Sequence, residues 1–162
     1  MVKKSLKNYF VKDIVLFCRQ IINFMARDKI HNAVRKALEK DNWVITNDPL
    51  NIESGGVAIE IDLAAEKFLL AEKDTSKIIV EIKSLSKRSL LYDFHGVIGQ
   101  YLDYRGILKD EGIEQILYLA ITESSYNLMQ AKPFYGRRLS ENKVNIIVVD
   151  ILNEIITQWI IN

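Results

Sequence analysis

Two carboxylates and a lysine form the set best able to do chemistry together: Asp62, then Glu81 and Lys83 in the run Glu81-Ile82-Lys83. Side chains alternate along a strand, so Ile79, Glu81 and Lys83 share one face while Ile78, Val80 and Ile82 share the other. Val80 and Ile82 then pack inward as Glu81 and Lys83 project together. Asp62 stands at the end of a second alternating run, and an antiparallel return through residues 63–77 would bring it beside Glu81. Convergent carboxylates repel unless something cationic lies between them. A hard divalent cation meets that need, and Mg²⁺ suits one or two carboxylates plus phosphate and water. Such a cation polarises a phosphate oxygen and activates a bound water, while a nearby lysine offsets charge developing on the phosphate. These residue types therefore suit phosphodiester hydrolysis. Taken alone the triple is weak, because Glu and Lys two apart on a strand are commonplace and an Asp before a turn is unremarkable.

The elements that must position these residues are legible from periodicity. Ile30, Ala33, Val34, Ala37 and Leu38 step along one face of a helix, with Asp28 as its expected N-cap and an end near Asp41-Asn42. Trp43 to Thr46 reads as a strand stopped by Asn47-Asp48-Pro49. Ser54-Gly55-Gly56 is a turn, and Val57, Ile59, Ile61 and Leu63 alternate with Ala58, Glu60 and Asp62 in a second strand. Phe68 to Glu72 is expected to continue it after a bulge. Asp74-Thr75-Ser76 turns the chain into the strand 78–83. A long helix is expected over 90–108, burying Leu91, Phe94, Val97, Ile98, Tyr101 and Leu102. The unbroken apolar run Ile116 to Ile121 fits a central strand covered on both faces. Ser124 is expected to cap a short helix, and 134–142 to form another. Val144 to Val149 and Ile155 to Ile161 close the chain as a hairpin. The order α-β-β-β-α-β-α-β-β implies an α/β fold, a mixed sheet flanked by helices.

At 162 residues, with no Pro- or Ser/Gly-rich linker, the chain suits one domain. A single cysteine, Cys18, excludes an internal disulfide and a cysteine-rich zinc site and fits a cytoplasmic home. No run approaches the roughly 20 apolar residues needed to span a bilayer, so no membrane partner is expected. Residues 1–24 carry Lys3, Lys4, Lys7, Lys12 and Arg19 against Asp13, a surplus of four positive charges that leaves the rest with a deficit of three. Asp13 and Arg19 interrupt the apolar stretch, and no small-residue cleavage site follows, which argues against a signal peptide. This stretch reads as an N-terminal extension, either an added amphipathic helix or a mis-assigned start ahead of Met25. Residues 25–162 read as the domain. Its slightly acidic balance confines any nucleic-acid contact to a local patch.

Around the triple lie further candidates. His31 sits on the first helix, and Gln100-Tyr101-Leu102-Asp103-Tyr104 places Gln100 and Tyr104 one helical turn apart on one side. Helix, Asp…Glu-x-Lys on a β-meander, then Gln-x-x-x-Tyr on a helix resembles the PD-(D/E)xK nuclease superfamily, with its restriction-endonuclease-like sheet. More closely, residues 25–162 resemble the XisH family of excision controlling factors, which accompany programmed removal of a DNA element from cyanobacterial chromosomes. The strings that carry this resemblance are Ala26-Arg27-Asp28 before His31, Trp43-Val44-Ile45-Thr46-Asn47-Asp48-Pro49-Leu50, Ile61-Asp62-Leu63-Ala64-Ala65-Glu66-Lys67, Ala71-Glu72-Lys73, Val80-Glu81-Ile82-Lys83-Ser84, Gly99-Gln100-Tyr101, Tyr104-Arg105 and Leu117-Tyr118-Leu119-Ala120-Ile121.

The resemblance implies Asp62 and Glu81 as metal ligands, with the Ile82 carbonyl as a third, and Lys83 as the catalytic lysine. It implies His31 as a further ligand, where resolvases of the superfamily often carry an acid. A histidine accepts Mn²⁺ more readily than Mg²⁺, so the implied cofactor is a divalent cation, Mg or Mn. Against this, a histidine beside an apolar helix stripe is commonly structural. Gln100 and Tyr104 would position DNA or the metal site, although Tyr104 is equally suited to the core. Lys87 and Arg88, just after the Glu-x-Lys strand, are the foremost basic candidates for phosphate contacts. Arg105 and Arg137-Arg138 follow, and His95 receives no role. Phosphate contacts of this kind give salt-sensitive affinity with little sequence information. Two functions remain in view: a metal-dependent DNA endonuclease acting in element excision, and a nuclease-like scaffold that regulates a separate recombinase. The partners implied are DNA, a protein of the excision system, and a second copy of the chain, since a homodimer suits cutting two strands.

Overall fold

The computed structural model describes residues 28–68, 75–86 and 88–162. Helix α1 is described over 28–40 and buries Ala33, Val34, Ala37 and Leu38, the stripe that the spacing predicts. Asp28 is already helical and so is not the N-cap; residue 27 and those before it lie outside the described residues. Asn42 ends the helix in the left-handed region (φ 64°), and the Trp43 N–H returns to the Leu38 carbonyl. Trp43 itself lies between α1 and the sheet, with Trp159 and Tyr118 stacked in series beyond it.

After β1 (Val44–Asn47) the chain departs from the expected order. Leu50–Ser54 is a strand, β2, which pairs antiparallel with β3 (Val57–Ile61) across Gly55 and Gly56, both at positive φ. Two left-handed residues in succession are what a tight two-residue hairpin turn requires. This hairpin forms a sheet of its own. The alternating run 57–63 is therefore not one strand: it breaks at Asp62, and Leu63–Phe68 continues as β4 in the main sheet. Of the expected continuation over 68–72, residues 69–72 lie outside the described residues. The strand placed at 78–83 begins earlier, at Thr75, giving β5 (Thr75–Lys83).

The main sheet has the order β1-β4-β5-β6-β7-β8, with β6 (Ile116–Thr122), β7 (Ile146–Asp150) and β8 (Ile155–Ile160). The pairs β1/β4, β4/β5 and β7/β8 are antiparallel, while β5/β6 and β6/β7 are parallel. The sheet is thus mixed, and β6 is buried along its length except at Ile116, as a central strand should be. Helix α2 (Leu90–Asp110) crosses over between the parallel strands β5 and β6. It buries Phe94, Val97, Tyr101 and Leu108, but Leu91, expected inside, is half exposed at 50%. Helix α3 (Glu123–Gln130) is capped by Thr122, whose hydroxyl accepts the Ser125 N–H; Ser124, the expected cap, lies inside the helix. Helix α4 (Pro133–Glu141) begins with a proline, which has no N–H to leave orphaned there.

The sheet separates two apolar layers. One holds Ile79, Leu119, Ile121 and Ile146 with α2, α3 and α4; the other holds Ile78, Val80, Ile82 and Ala120 with α1. Among the described residues no buried side-chain polar atom lacks a partner, and no helix is long and apolar enough to cross a membrane.

Candidate functional site

The break at Asp62 makes the site. The β4/β5 ladder ends at the pair Leu63–Val80, and Asp62 is the residue at which the chain bends into it. By alternation Glu81 lies on the α2 side of the sheet, with Ile79, and not on the α1 side with Val80. Beyond Leu63 the chain has left the sheet, and Asp62 supplies what a continuing strand would have supplied. Its Oδ2 accepts the Ile82 N–H at 2.8 Å.

Glu81 is 3% exposed, one of the few buried charged or polar side chains among the described residues. A buried carboxylate needs compensation, and the Lys83 ammonium forms an ion pair with it from the same strand face. The period-two expectation for Glu81 and Lys83 therefore matches the geometry. Lys83 keeps about a quarter of its side chain in water (24%) and so faces the open end of the site.

His31 comes from α1, the helix on the opposite layer, and reaches this end of the sheet. Its Nδ1 lies 3.9 Å from Asp62 Oδ1, while Nε2 donates to Asp48 Oδ1 at 2.8 Å. Arg35 Nη1 donates to the other Asp48 oxygen at 2.6 Å. Asp48 was visible in the sequence only as part of a strand-stopping Asp-Pro, and its link to His31 spans 17 residues. No local pattern announces such a contact.

From the other side, α2 presents Gln100 and Tyr104. Gln100 Nε2 donates to the Tyr104 hydroxyl at 2.6 Å, and that hydroxyl donates to the Glu60 carbonyl at 3.0 Å, two residues before Asp62. Burial raises the Tyr104 phenol above its ordinary value; the Gln100 bond opposes this, and the Glu81 and Asp62 charges add to it. The phenol thus feels both carboxylates. Tyr104 also packs against the core, as one of its two expected roles has it.

The loop after Lys83 is shaped by Asp93 near the start of α2. Its carboxylate accepts from the Ser86 N–H at 3.0 Å and from the Ser89 hydroxyl at 2.8 Å. These bonds, the Ser86 N–H foremost, hold it below the usual carboxylate range. Arg88 on this loop is exposed, and Lys87 lies outside the described residues. Of the remaining basic candidates, Arg105 Nη1 is engaged with the Asn142 and Lys143 carbonyls at the end of α4, and Arg138 pairs with Glu141. Arg137 is exposed, and His95 is exposed beside Phe94.

A divalent cation can be tested against these donors. Among the described residues no group of three or more His, Cys, Asp or Glu side chains stands arranged to hold a metal ion. Asp62 and Glu81 are oxygen donors of the type that a hard cation takes while it keeps most of its waters and accepts substrate oxygens. A cleft of about 420 Å³ lies by the first residues of β6, lined in part by Tyr101, Arg105, Ile116 and Asn145, and none of the site residues borders it.

Comparison with known proteins finds relatives of the same fold. The sequence signature described as XisH protein matches residues 24–157. The structure of an XisH family protein from Nostoc punctiforme superposes with a TM-score of 0.72 at 41% identity, covering 83% of this chain and 99% of the other. An fdxN element excision controlling factor protein from Anabaena variabilis superposes with a TM-score of 0.72 at 39% identity, with the same coverage. No curated protein matches the chain.

Proposed function

The chain belongs to the XisH family, and from that premise we propose that its Asp62–Glu81–Lys83 site hydrolyses phosphodiester bonds of DNA with a divalent cation, as an endonuclease-type factor in excision of a DNA element. The observation that supports the reading is the end of the β4/β5 ladder: it stops at Leu63–Val80, the Asp62 carboxylate takes the Ile82 N–H there, and Lys83 pairs with Glu81 beside it. A fold that merely used these residues for stability gains little from gathering two carboxylates and a lysine, because their desolvation costs free energy. The likeness to an excision controlling factor supports DNA as the substrate.

Asp62 and Glu81 would hold the cation. When bound, it supplies polarisation of a phosphate oxygen and a more acidic water. Lys83 orients the attacking water and offsets the charge that develops on the phosphate. Tyr104, held by Gln100, fixes the backbone at Glu60 and so the bend from which Asp62 projects. Arg88, exposed on the loop after β5, meets a flanking phosphate.

Lys83→Ala tests the reading. Its loss removes no metal ligand, so Mn²⁺ and DNA binding should stay near wild type. The rate of cleavage should fall on the order of 10²–10³, or about 3–4 kcal/mol, as for loss of one group that stabilises transition-state charge. Duplex, branched and single-stranded DNA are the substrates, with Mg²⁺ or Mn²⁺. Wild type inert on all of them, together with a Lys83→Ala chain that still supports excision, would overturn the enzyme in favour of a scaffold that regulates a separate recombinase.

A further inference from the structure

His31 stands between two carboxylates, and they treat its two ring nitrogens differently. Asp48 Oδ1 is 2.8 Å from Nε2, within hydrogen-bond reach, whereas Asp62 Oδ1 is 3.9 Å from Nδ1, beyond it. A carboxylate oxygen only accepts, so the short contact requires a proton on Nε2. The long one leaves Nδ1 facing the Asp62 carboxylate at ion-pair range. Asp48 is itself fixed. Its second oxygen takes Arg35 Nη1 at 2.6 Å, and Arg35 is steadied by Glu39 at 3.1 Å, one turn further along α1. His31 and Arg35 are four apart on that helix and so grip Asp48 from one side. Asp48 follows Asn47, which pairs with Ala64 of β4, two residues past Asp62. The clasp therefore ties α1 to the same stretch of sheet that presents Asp62.

We infer that Asp48 is a positioning residue, which sets the His31 ring so that Nε2 carries the proton and Nδ1 is the nitrogen offered to the Asp62–Glu81 site. The inference rests on the proposed hydrolytic reading and adds to it the route by which a histidine from the opposite layer joins the two carboxylates. A carboxylate behind an imidazole fixes the tautomer and the ring orientation, and such partners typically matter 10–100-fold in metal affinity. Arg35 belongs to the device because it prevents Asp48 from turning away.

Two measurements on the full chain decide it. The first is the tautomer of His31 in the metal-free protein, read from long-range proton–nitrogen correlation with His95 assigned by substitution. Nε2–H is expected in wild type, and that preference should be lost in Asp48→Asn and Asp48→Ala. The second is calorimetric titration with Mn²⁺ alone. Asp48→Asn should bind about 10–100-fold more weakly, with no further loss when it is added to His31→Ala. A wild-type ring protonated on Nδ1 overturns the inference, whether or not the variants fold. So does a folded Asp48→Asn with wild-type Mn²⁺ affinity. Wild type that binds no Mn²⁺ overturns the proposed function instead, and the tautomer then decides the role of Asp48 by itself.

Discussion

Asp62 has two duties that substitution can separate. Its carboxylate accepts the Ile82 N–H at 2.8 Å in a partly buried setting. A hydrogen bond to a charged group contributes about 1.5–3 kcal/mol. Removing the carboxylate also relieves its repulsion with Glu81, an offset on the order of 1 kcal/mol. Asp62→Ala should therefore cost roughly 1–2 kcal/mol net. For a chain of this length each kcal/mol moves the melting temperature by about 2–4 °C, so a fall of about 2–8 °C is expected. Asp62→Asn keeps an oxygen that can accept from Ile82 and should melt within about 1 kcal/mol of wild type. Its amide is a poor ligand for a hard cation, so Mn²⁺ binding and cleavage should fail in both variants. Thermal melts in the presence of a chelator, with Mn²⁺ calorimetry alongside, give the two readouts. An alanine variant as stable as wild type, or an asparagine variant that binds and cuts normally, would refute the reasoning.

Other expectations follow from the same geometry. Tyr101 is 1% exposed, and its hydroxyl donates to the Leu117 carbonyl at 2.8 Å and accepts the Asn145 N–H at 3.1 Å. Leu117 keeps a second donor in Asn145 Nδ2, so Tyr101→Phe should cost mainly the orphaned Asn145 N–H, about 1–2 kcal/mol by thermal melt, with Mn²⁺ affinity unchanged. Burial raises the phenols of Tyr101, Tyr104 and Tyr118 above the ordinary 10.0. Because the unfolded chain then ionises first, their contribution to stability is whole below about pH 10 and is lost as pH rises through the raised values. Absorbance at 295 nm against pH should show these three lagging until the chain unfolds. Arg88→Ala should weaken DNA binding alike across sequences and flatten its dependence on salt by about one phosphate, read by titration at several ionic strengths.

How far the sequence alone reached depends on whether the deciding contact is local. Strand period two is local, and it put Glu81 and Lys83 on one face and Val80 and Ile82 on the other, as in the fold. Helix spacing likewise paired Gln100 with Tyr104. The strand β2 went unread although Leu50 and Ile52 alternate with Asn51 and Glu53, because Asp48-Pro49 before it and Gly55-Gly56 after it suggested only loop. The two-residue turn was the signal that two strands flank it. Asp62 was read as the end of one strand, whereas it is the residue at which a strand leaves one sheet for another; alternation alone does not mark a change of partner. Leu91 fits the helix stripe yet is half exposed, while its neighbour Leu90 is the one packed against the core beneath α2. Asp48 acquired its role from His31 and Arg35, a contact that exists only once α1 lies against the connector after β1.

The bond between Asp62 and Ile82 makes a side chain stand in for the backbone of a strand that has gone elsewhere. Whatever draws on the oxygens of Asp62 must share them with the last amide of β5 before Lys83. Occupancy of the site and order at the end of that strand are then linked, and linkage runs both ways with the same free energy. A ligand that pulls the carboxylate forward loosens the Ile82 amide, and a change that strengthens the Ile82 bond weakens the ligand by an equal factor. Exchange of one backbone proton would therefore report, in a chain carrying no label and performing no reaction, on how fully the site is engaged.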